Sequence, residues 1–387
     1  MPVASRSPKE HGPSHHGPRK EEKHRHSRYA APVPTHRAEL PNPIPPGGGV
    51  IGCTTAYFLT RHKSYNPALH TITLLEATTL AAGASGKAGG LLALWAYPDC
   101  LVPLSYRLHA ELAAQHNGAE RWGYRRVQCG SLAFNVSRSK VDSFEREKVA
   151  ATGGVVGAGE KAWEKLPKQD ESAAALLREA RVPEDLDWVD AETVAGYAEM
   201  GGPGTTDTAQ VHPLHFTTSI AELAREGGAV IKEGAKVTEI RTGDDNGVEG
   251  VGYLDRETGE ERSIDDVTDV IVCAGPWTSR VLPRAKVEGL RAHSVVFEAD
   301  VSPYAIFTDI SLPHDYVPAH RAYKGQRRRH KGNVDPEIYA RPNNEVYACG
   351  MSPPPPNPIT SRNDKTNKPQ ANPTAPCPSP KPPTSSK

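Results

Sequence analysis

No two of the six cysteines (Cys53, Cys100, Cys129, Cys273, Cys349 and Cys377) stand close enough for a C-x-x-C pair. That spacing removes the main support for a zinc ribbon or a thioredoxin-type redox site, and we expect no metal centre. So few cysteines in 387 residues also exclude a disulfide framework. No run of 18 apolar residues exists, so no segment is a candidate membrane-spanning helix. The N-terminus lacks the apolar core of a signal peptide. Its arginines and serines suggest a mitochondrial leader only faintly, because Glu10, Glu21, Glu22 and many prolines interrupt any amphipathic helix. Net charge is missing too, since 46 Lys and Arg balance 46 Asp and Glu. That balance argues against a chain that binds nucleic acid or an anionic membrane as a whole. We expect a soluble, cytoplasmic, reduced protein.

Apolar residues are also scarce, at 37%, with a mean hydropathy of −0.55. The average hides a split. Residues 1–46 hold ten of the 36 prolines and residues 351–387 hold twelve, so the middle of the chain has an ordinary share. Residues 1–46 also hold six of the sixteen histidines, with His11, His15 and His16 close together, but no helix or strand period survives there. The far end runs from MSPPPPNPITS to SPKPPTSSK and offers almost nothing that packs. Both ends read as disordered tails, the second polyproline-like. The segment between them is apolar enough to bury a sizeable core.

That segment opens with GGGVIGCTTAYFLTRH. Gly47, Gly49 and Gly52 fit G-x-G-x-x-G, and Val50, Ile51, Tyr57, Phe58 and Leu59 give the following helix an apolar surface. Thr71–Leu75 then reads as a short buried strand ended by Glu76, with Ala77 behind it. The chemistry of the pattern is specific: the first glycine makes the tight turn, the second admits a pyrophosphate to the backbone, and the third lets helix and sheet pack. Phosphates then meet the free N–H groups and positive dipole of the helix N-terminus. An acid at the end of the second strand suits a free ribose 2′-hydroxyl, hence FAD or NAD over NADP. An ordinary glycine-rich loop is the competing reading. The element before Gly47 breaks the pattern. It reads LPNPIPP, and prolines 41, 43, 45 and 46 cannot donate to a central ladder. We therefore expect a divergent start or a misassigned exon in place of the usual first strand.

A second glycine-rich stretch, TTLAAGASGKAGGLLALWAYP, spans residues 78–98. A simple NAD dehydrogenase needs no such loop. Together with GGGVIGCTTAYFLTRH and the later DVIVCAGPWTS, it resembles the FAD-dependent oxidoreductases of the D-amino-acid oxidase and glycine oxidase superfamily, in their fungal branch. The resemblance covers roughly residues 47–350. It implies an α/β fold in which a FAD-binding Rossmann-type domain (residues 47–120 and 201–284) carries an inserted α+β substrate domain (121–200 and 285–350). It implies that FAD contacts Gly47, Gly49, Val50, Ile51, Gly52, Glu76 and Ala77, then the loop Ser85, Gly86, Lys87, Ala88, Gly89, Gly90 and Leu91. Val237, in AVIKEGAKVTEIR, takes the place of an adenine contact. Cys273, Ala274, Gly275 and Trp277 form a second turn near the phosphates, after an expected buried strand at Val270–Cys273.

Further expectations concern the substrate. PEIYARPNNEVYACG reads as a hairpin, Glu337–Arg341 and Glu345–Cys349, around an Asn343–Asn344 turn that tolerates positive φ. The resemblance implies that Arg341 binds a substrate carboxylate, a task suited to a bidentate guanidinium. The competing reading for Arg341 is an ordinary ion pair. Tyr339 and Tyr347 are candidate pocket walls; His212 and His215 could also face the pocket, although such histidines more often make structural hydrogen bonds. A helix is expected over His215–Gly227, a core-packed helix around Leu101–His116, and helical stretches around Asp170–Glu179 and Asp190–Ala198. The basic run RRRHK at Arg327–Lys331 reads as a solvated insertion. The implied activity is oxidation of a small amine or amino acid by hydride transfer to flavin. A catalytically inactive relative, retained for interaction or regulation, is the alternative. The resemblance is expected to stop at Gly350, without the segment that closes over the flavin in family members.

Overall fold

The computed structural model describes residues 47–152, 166, 170–202, 207–244, 247–327 and 333–350. Both tails and residues 328–331 of the basic run lie outside the described residues.

In chain order, helix α1 (Val50–Thr60) leads to strand β1 (Thr73–Leu75), a short 3-10 turn (Ala84–Gly86) and β2 (Leu91–Ala93). Next come α2 (Val102–Gln115), α3 (Gly118–Trp122), β3 (Arg125–Arg126), β4 (Gln128–Asn135), α4 (Arg138–Thr152) and α5 (Glu171–Glu179). The chain continues through β5 (Val194–Gly201), β6 (Thr208–Gln210), α6 (Pro213–Glu226), β7 (Val230–Lys232), β8 (Ala235–Thr242), β9 (Val248–Asp255) and β10 (Glu261–Asp265). A second 3-10 turn (Gly275–Trp277) precedes α7 (Thr278–Val281), β11 (His293–Glu298), β12 (Tyr304–Ser311), α8 (Ala319–Ala322), β13 (Glu337–Arg341) and β14 (Glu345–Gly350).

Four sheets organise these elements. β1 and β7 pair in parallel, as a strand–helix–strand nucleotide unit requires. β8, β9 and β10 form an antiparallel meander. β2, β6 and β3 form a small antiparallel sheet between the glycine-rich loop and α6. The largest sheet runs β11-β14-β13-β12-β4-β5, antiparallel throughout except for the β12–β4 pair.

One apolar core lies where α1 meets α6. Cys53, Ala56 and Tyr57 of α1 pack with Phe216, Ile220, Ala221 and Ala224 of α6, and fully buried Trp122 meets Phe216 edge-on at 5.5 Å. α6 starts two residues earlier than the apolar spacing alone suggests, because Pro213 suits the first helical turn and His212 caps it: its Nδ1 accepts from the N–H of His215. α5 has the expected bounds, with Asp170 accepting from the N–H of Ala173. A second core sits on the large sheet, where Leu132, Tyr304 and Ile306 meet Leu177, Val182 and Leu186.

Three expectations are corrected. Asp190–Ala198 is not helical: a turn leads into β5, which pairs with β4. Two register shifts along that pair, at Cys129/Gly130 and Ala133/Phe134, break the period-two alternation, so the apolar spacing mimics a helix. The Tyr197 ring lies so close over Gly130 that a β-carbon there would sit 2.2 Å from it, a long-range fit that outweighs local preference. Val270–Cys273 is not a buried strand. It pairs with no described strand, and Ile271 is 61% exposed. A cavity of about 1070 Å³ separates it from β1, whose sole described partner is β7. α2 is core-packed only near its C-terminal end, at Leu112 and Ala113, while Leu101 and Leu104 are exposed.

Candidate active site

The first glycine turn is held by contacts that leave no room for side chains. A β-carbon on Gly52 would sit 1.8 Å from the carbonyl oxygen of Gly47, and one on Gly47 would sit 2.7 Å from that of Leu75. Gly49 caps α1 in an extended conformation and supplies no side chain to the helix N-terminus, whose first turn also contains no acid. Ser85 of the second glycine-rich stretch reaches across, its hydroxyl accepting from the N–H of Val50 at 2.9 Å. The two segments identified separately in the sequence thus meet at one helix N-terminus. The first turn of that helix contains no carboxylate to compete with an anion, and Ser85 takes one of its free N–H groups.

Glu76 is completely buried beneath this turn. Its Oε2 accepts from the N–H of Gly48 at 2.9 Å, and its Oε1 accepts from the N–H and hydroxyl of Thr78 at 2.8 and 3.0 Å. Burial pushes its carboxyl above the ordinary range, and the bonds from Thr78 and Gly48 oppose that shift. Glu76→Ala would leave the buried N–H of Gly48 without an acceptor, at about 1–3 kcal/mol of desolvation, while the N–H and hydroxyl of exposed Thr78 turn to water. We expect the variant to unfold at lower urea, with a loss of about 1–3 kcal/mol. An unchanged midpoint would refute this holding role. Ala77, beside it, is buried, and its carbonyl accepts from Arg256 Nη1 at 3.3 Å.

The rest of the glycine-rich stretch is fitted to its surroundings. Gly90 has φ +85° and faces the carbonyl of Val211, so only glycine takes that conformation without strain. Gly86 packs on the carbonyl of Ala81, Lys87 is exposed, and Leu91 lies on β2 opposite Gln210. The Trp277 ring lies 3.8 Å from where a β-carbon of Gly83 would be, so the second turn (Gly275, φ +51°) meets the same loop. Val237, Cys273 and Ala274 line the large cavity together with Gly47 and Gly52. Val50 is partly buried and Ile51 exposed on α1.

The loop's other end meets the β13–β14 hairpin. Gly89 sits flat on Tyr339, with room for no β-carbon. Tyr339 and Tyr347 are buried and stacked, 6.2 Å apart at 21°. The Tyr339 hydroxyl donates to Glu337; burial, then that carboxylate, raises its pKa far above the ordinary phenol range, so it stays protonated. Arg341, 7% exposed, donates from Nη1 to the carbonyl of Ala88 at 3.0 Å and lies over the Tyr347 ring at 5.1 Å. Its Nη2 donates to Glu345 Oε2. That same oxygen lies 3.2 Å from His212 Nε2. Because His212 Nδ1 accepts the backbone N–H of His215, the ring's proton is on Nε2 and points at Glu345. Burial, then His215 and Arg341, lower the His212 pKa and keep the ring neutral at neutral pH. Asn343, at φ +68° in the turn, closes the group from its Nδ2 to His215 Nδ1 at 3.4 Å.

Glu345 is absent from the residues singled out in the sequence. The signal was there: the hairpin register sets Glu345 directly opposite Arg341, the last pair before the turn. Among the described residues, no group of His, Cys, Asp or Glu is arranged to hold a metal ion, and no helix is long and apolar enough to cross a membrane.

A glycine turn closed on a parallel strand, a helix N-terminus that starts on glycine with no acid in its first turn, and a second glycine loop laid against it define a dinucleotide-binding α/β protein. The model of the FAD dependent oxidoreductase family matches residues 47–364, and the chain belongs to that family. The match passes beyond Gly350, where the resemblance was expected to stop. The protein TDA3 of Saccharomyces cerevisiae is 30% identical over 395 residues, covering 79% of this chain and 72% of its own. The protein C1F5.03c of Schizosaccharomyces pombe is 30% identical over 321 residues, covering 79% and 68%. Both are named as oxidoreductases, and neither name states a substrate. The 4-methylaminobutanoate oxidase (formaldehyde-forming) of Paenarthrobacter nicotinovorans is 26% identical over 330 residues, covering 83% of this chain and 34% of its own. The cofactor of the family is FAD, and a glycine N-cap that brings no side chain to the start of α1, with no acid in the first turn, suits a phosphate there.

Proposed function

We propose that this protein oxidises a small amine or amino acid, passing the electrons to bound FAD and from there to oxygen or another acceptor. The observation that carries the reading is the 3.0 Å bond from Arg341 to the carbonyl of Ala88. It sets a carboxylate-binding guanidinium directly against the glycine loop assigned to the flavin. In this reading, segments 47–120 and 201–284 hold FAD through Gly47, Gly49–Gly52, the loop Ser85–Leu91, Val237 and Cys273–Trp277. Segments 121–200 and 285–350 shape the substrate site. A ribose hydroxyl reaches Glu76 only where the cover of Gly48 and Thr78 gives way. The relative named for a methylamino acid supports an amine that also bears a carboxylate.

When bound, FAD supplies the two-electron acceptor for the amine's C–H bond. The chain's own residues do the rest. Arg341 binds the carboxylate and so orients the adjacent C–H bond. Buried Tyr339 and Tyr347 keep that wall of the site dry and rigid. His212, neutral and buried, is a proton-holding partner to Glu345 rather than a cation competing for substrate amine. The test is the visible spectrum of the gel-filtered protein, followed by peroxide release and flavin bleaching across a panel of amines and amino acids. A stoichiometric flavin band with bleaching by some members of the panel supports the reading. A flavin-loaded protein that no amine bleaches under anaerobic conditions overturns it.

A further inference from the structure

The guanidinium of Arg341 has three faces, and each has a different status. Nη1 is committed to the Ala88 carbonyl at 3.0 Å. Nη2 is committed to a single oxygen, Glu345 Oε2. Nε is buried and has no hydrogen-bond partner among the described residues. Nε and Nη2 lie on the same edge of a guanidinium, and that edge binds a carboxylate through two parallel bonds. Glu345 therefore occupies half of the edge that a bidentate carboxylate would use, and a buried donor is left unsatisfied beside it. A buried donor without a partner is costly, so the arrangement is poised to accept a better partner.

Glu345 is also equipped to leave. Its side chain is 34% exposed, whereas those of Arg341 and His212 are each 6% exposed. Its oxygen has a second donor in the Nε2–H of His212 at 3.2 Å, which remains available after it parts from Arg341. Arg341 itself stays where it is, pinned by the Ala88 carbonyl and by the Tyr347 ring. We propose that Glu345 is a displaceable internal carboxylate that sets specificity. It holds one donor of the Arg341 edge in the free protein, and a ligand carboxylate replaces it by taking both Nη2 and Nε. Glu345 then rests on His212. No covalent bond forms or breaks in the exchange. Its consequence is discrimination: monodentate anions gain little over Glu345, while a planar carboxylate gains the second bond. This inference rests on the assignment of Arg341 as the carboxylate site.

The experiment is calorimetric titration of the purified holoprotein with acetate as the carboxylate probe and chloride as the monodentate control. Wild type, Glu345→Gln, Glu345→Asp and Arg341→Met are compared. Glu345→Gln removes the competing charge; Glu345→Asp keeps the charge but draws it back from Nη2. Both Glu345 variants should bind acetate about tenfold more tightly than wild type. Chloride should gain at least as much, because its competitor for Nη2 has withdrawn, so that the preference for acetate shrinks. Arg341→Met should bind neither. A gain in affinity is a readout that damage to the fold does not produce, and the two Glu345 variants guard against one of them failing to fold. If Arg341→Met abolishes acetate binding while both Glu345 variants bind as wild type does, the exchange is refuted and the Arg341 assignment stands. If acetate binding is indifferent to Arg341→Met, that assignment itself falls and takes this inference with it.

Discussion

Gly52→Ala is expected to yield a protein that has lost its flavin. The added carbon would lie 1.8 Å from the Gly47 carbonyl oxygen and 3.0 Å from its carbon. Both are backbone atoms of a turn already pressed against Leu75, so neither can swing aside as a side chain would. The turn has to open, and α1 moves with it. The bond between the Val50 N–H and Ser85 is then lost, and with it the joint between the two glycine segments. Overpacking of this kind costs about 1–3 kcal/mol of stability, and the misplaced N–H groups cost cofactor affinity in addition. Gly49→Ala is the matched control. Its carbon meets only the Ser85 side chain, 2.9 Å from the hydroxyl, which can turn away at the loss of its bond to Val50 while the backbone turn stays closed. Flavin content per protein, read from the visible band after gel filtration, should fall by roughly tenfold or more in Gly52→Ala, a change of at least ~1.4 kcal/mol in affinity. It should fall much less in Gly49→Ala. Equal retention in the two variants would mean that the turn does not hold the cofactor.

The contrast between these glycines shows what kind of information the sequence carried. Spacing along one turn is local, and so the fingerprint, its helix, the strand ending at Glu76 and the β13–β14 hairpin were all legible. What spacing could not show was the use made of each residue once distant segments met. Glu76 reads as a cofactor ligand in the sequence, yet its carboxylate is consumed by Gly48 and Thr78. Arg341 reads as an open guanidinium, yet Glu345 is already on it. The misread strand and helix have the same cause at larger scale. Residues 190–198 have helix-like spacing because the β4–β5 ladder slips twice, and a slip is a property of two strands together. Val270–Cys273 has the composition of a buried strand, and composition alone does not provide a neighbour to pair with. The site itself was half legible. The loop and the hairpin were each identified, but their junction at Ala88–Arg341 and Gly89–Tyr339 joins residues some 250 positions apart.

That junction makes the second large prediction. In Arg341→Met, kcat/KM for amines bearing a carboxylate should fall by about 3 kcal/mol, on the order of a hundredfold. Amines of similar size without a carboxylate should lose far less, so the ratio between the two classes collapses. Arg341→Lys restores the charge but not the planar edge formed by Nε and Nη2, and so it should recover only part of the difference. Flavin content should stay near that of the wild type, because Arg341 hydrogen-bonds the glycine loop through one carbonyl, while the Gly47–Gly52 turn and its bond to Ser85 do not depend on it. Glu345, partly exposed and still paired with His212, is not stranded when Arg341 goes, so the fold should survive. Steady-state kinetics on matched pairs of substrates, with flavin content measured in the same preparations, separates the outcomes. A parallel fall for both classes would mark Arg341 as a structural tie between hairpin and loop. A loss confined to the carboxylates, with the flavin retained, would make it the residue that selects them.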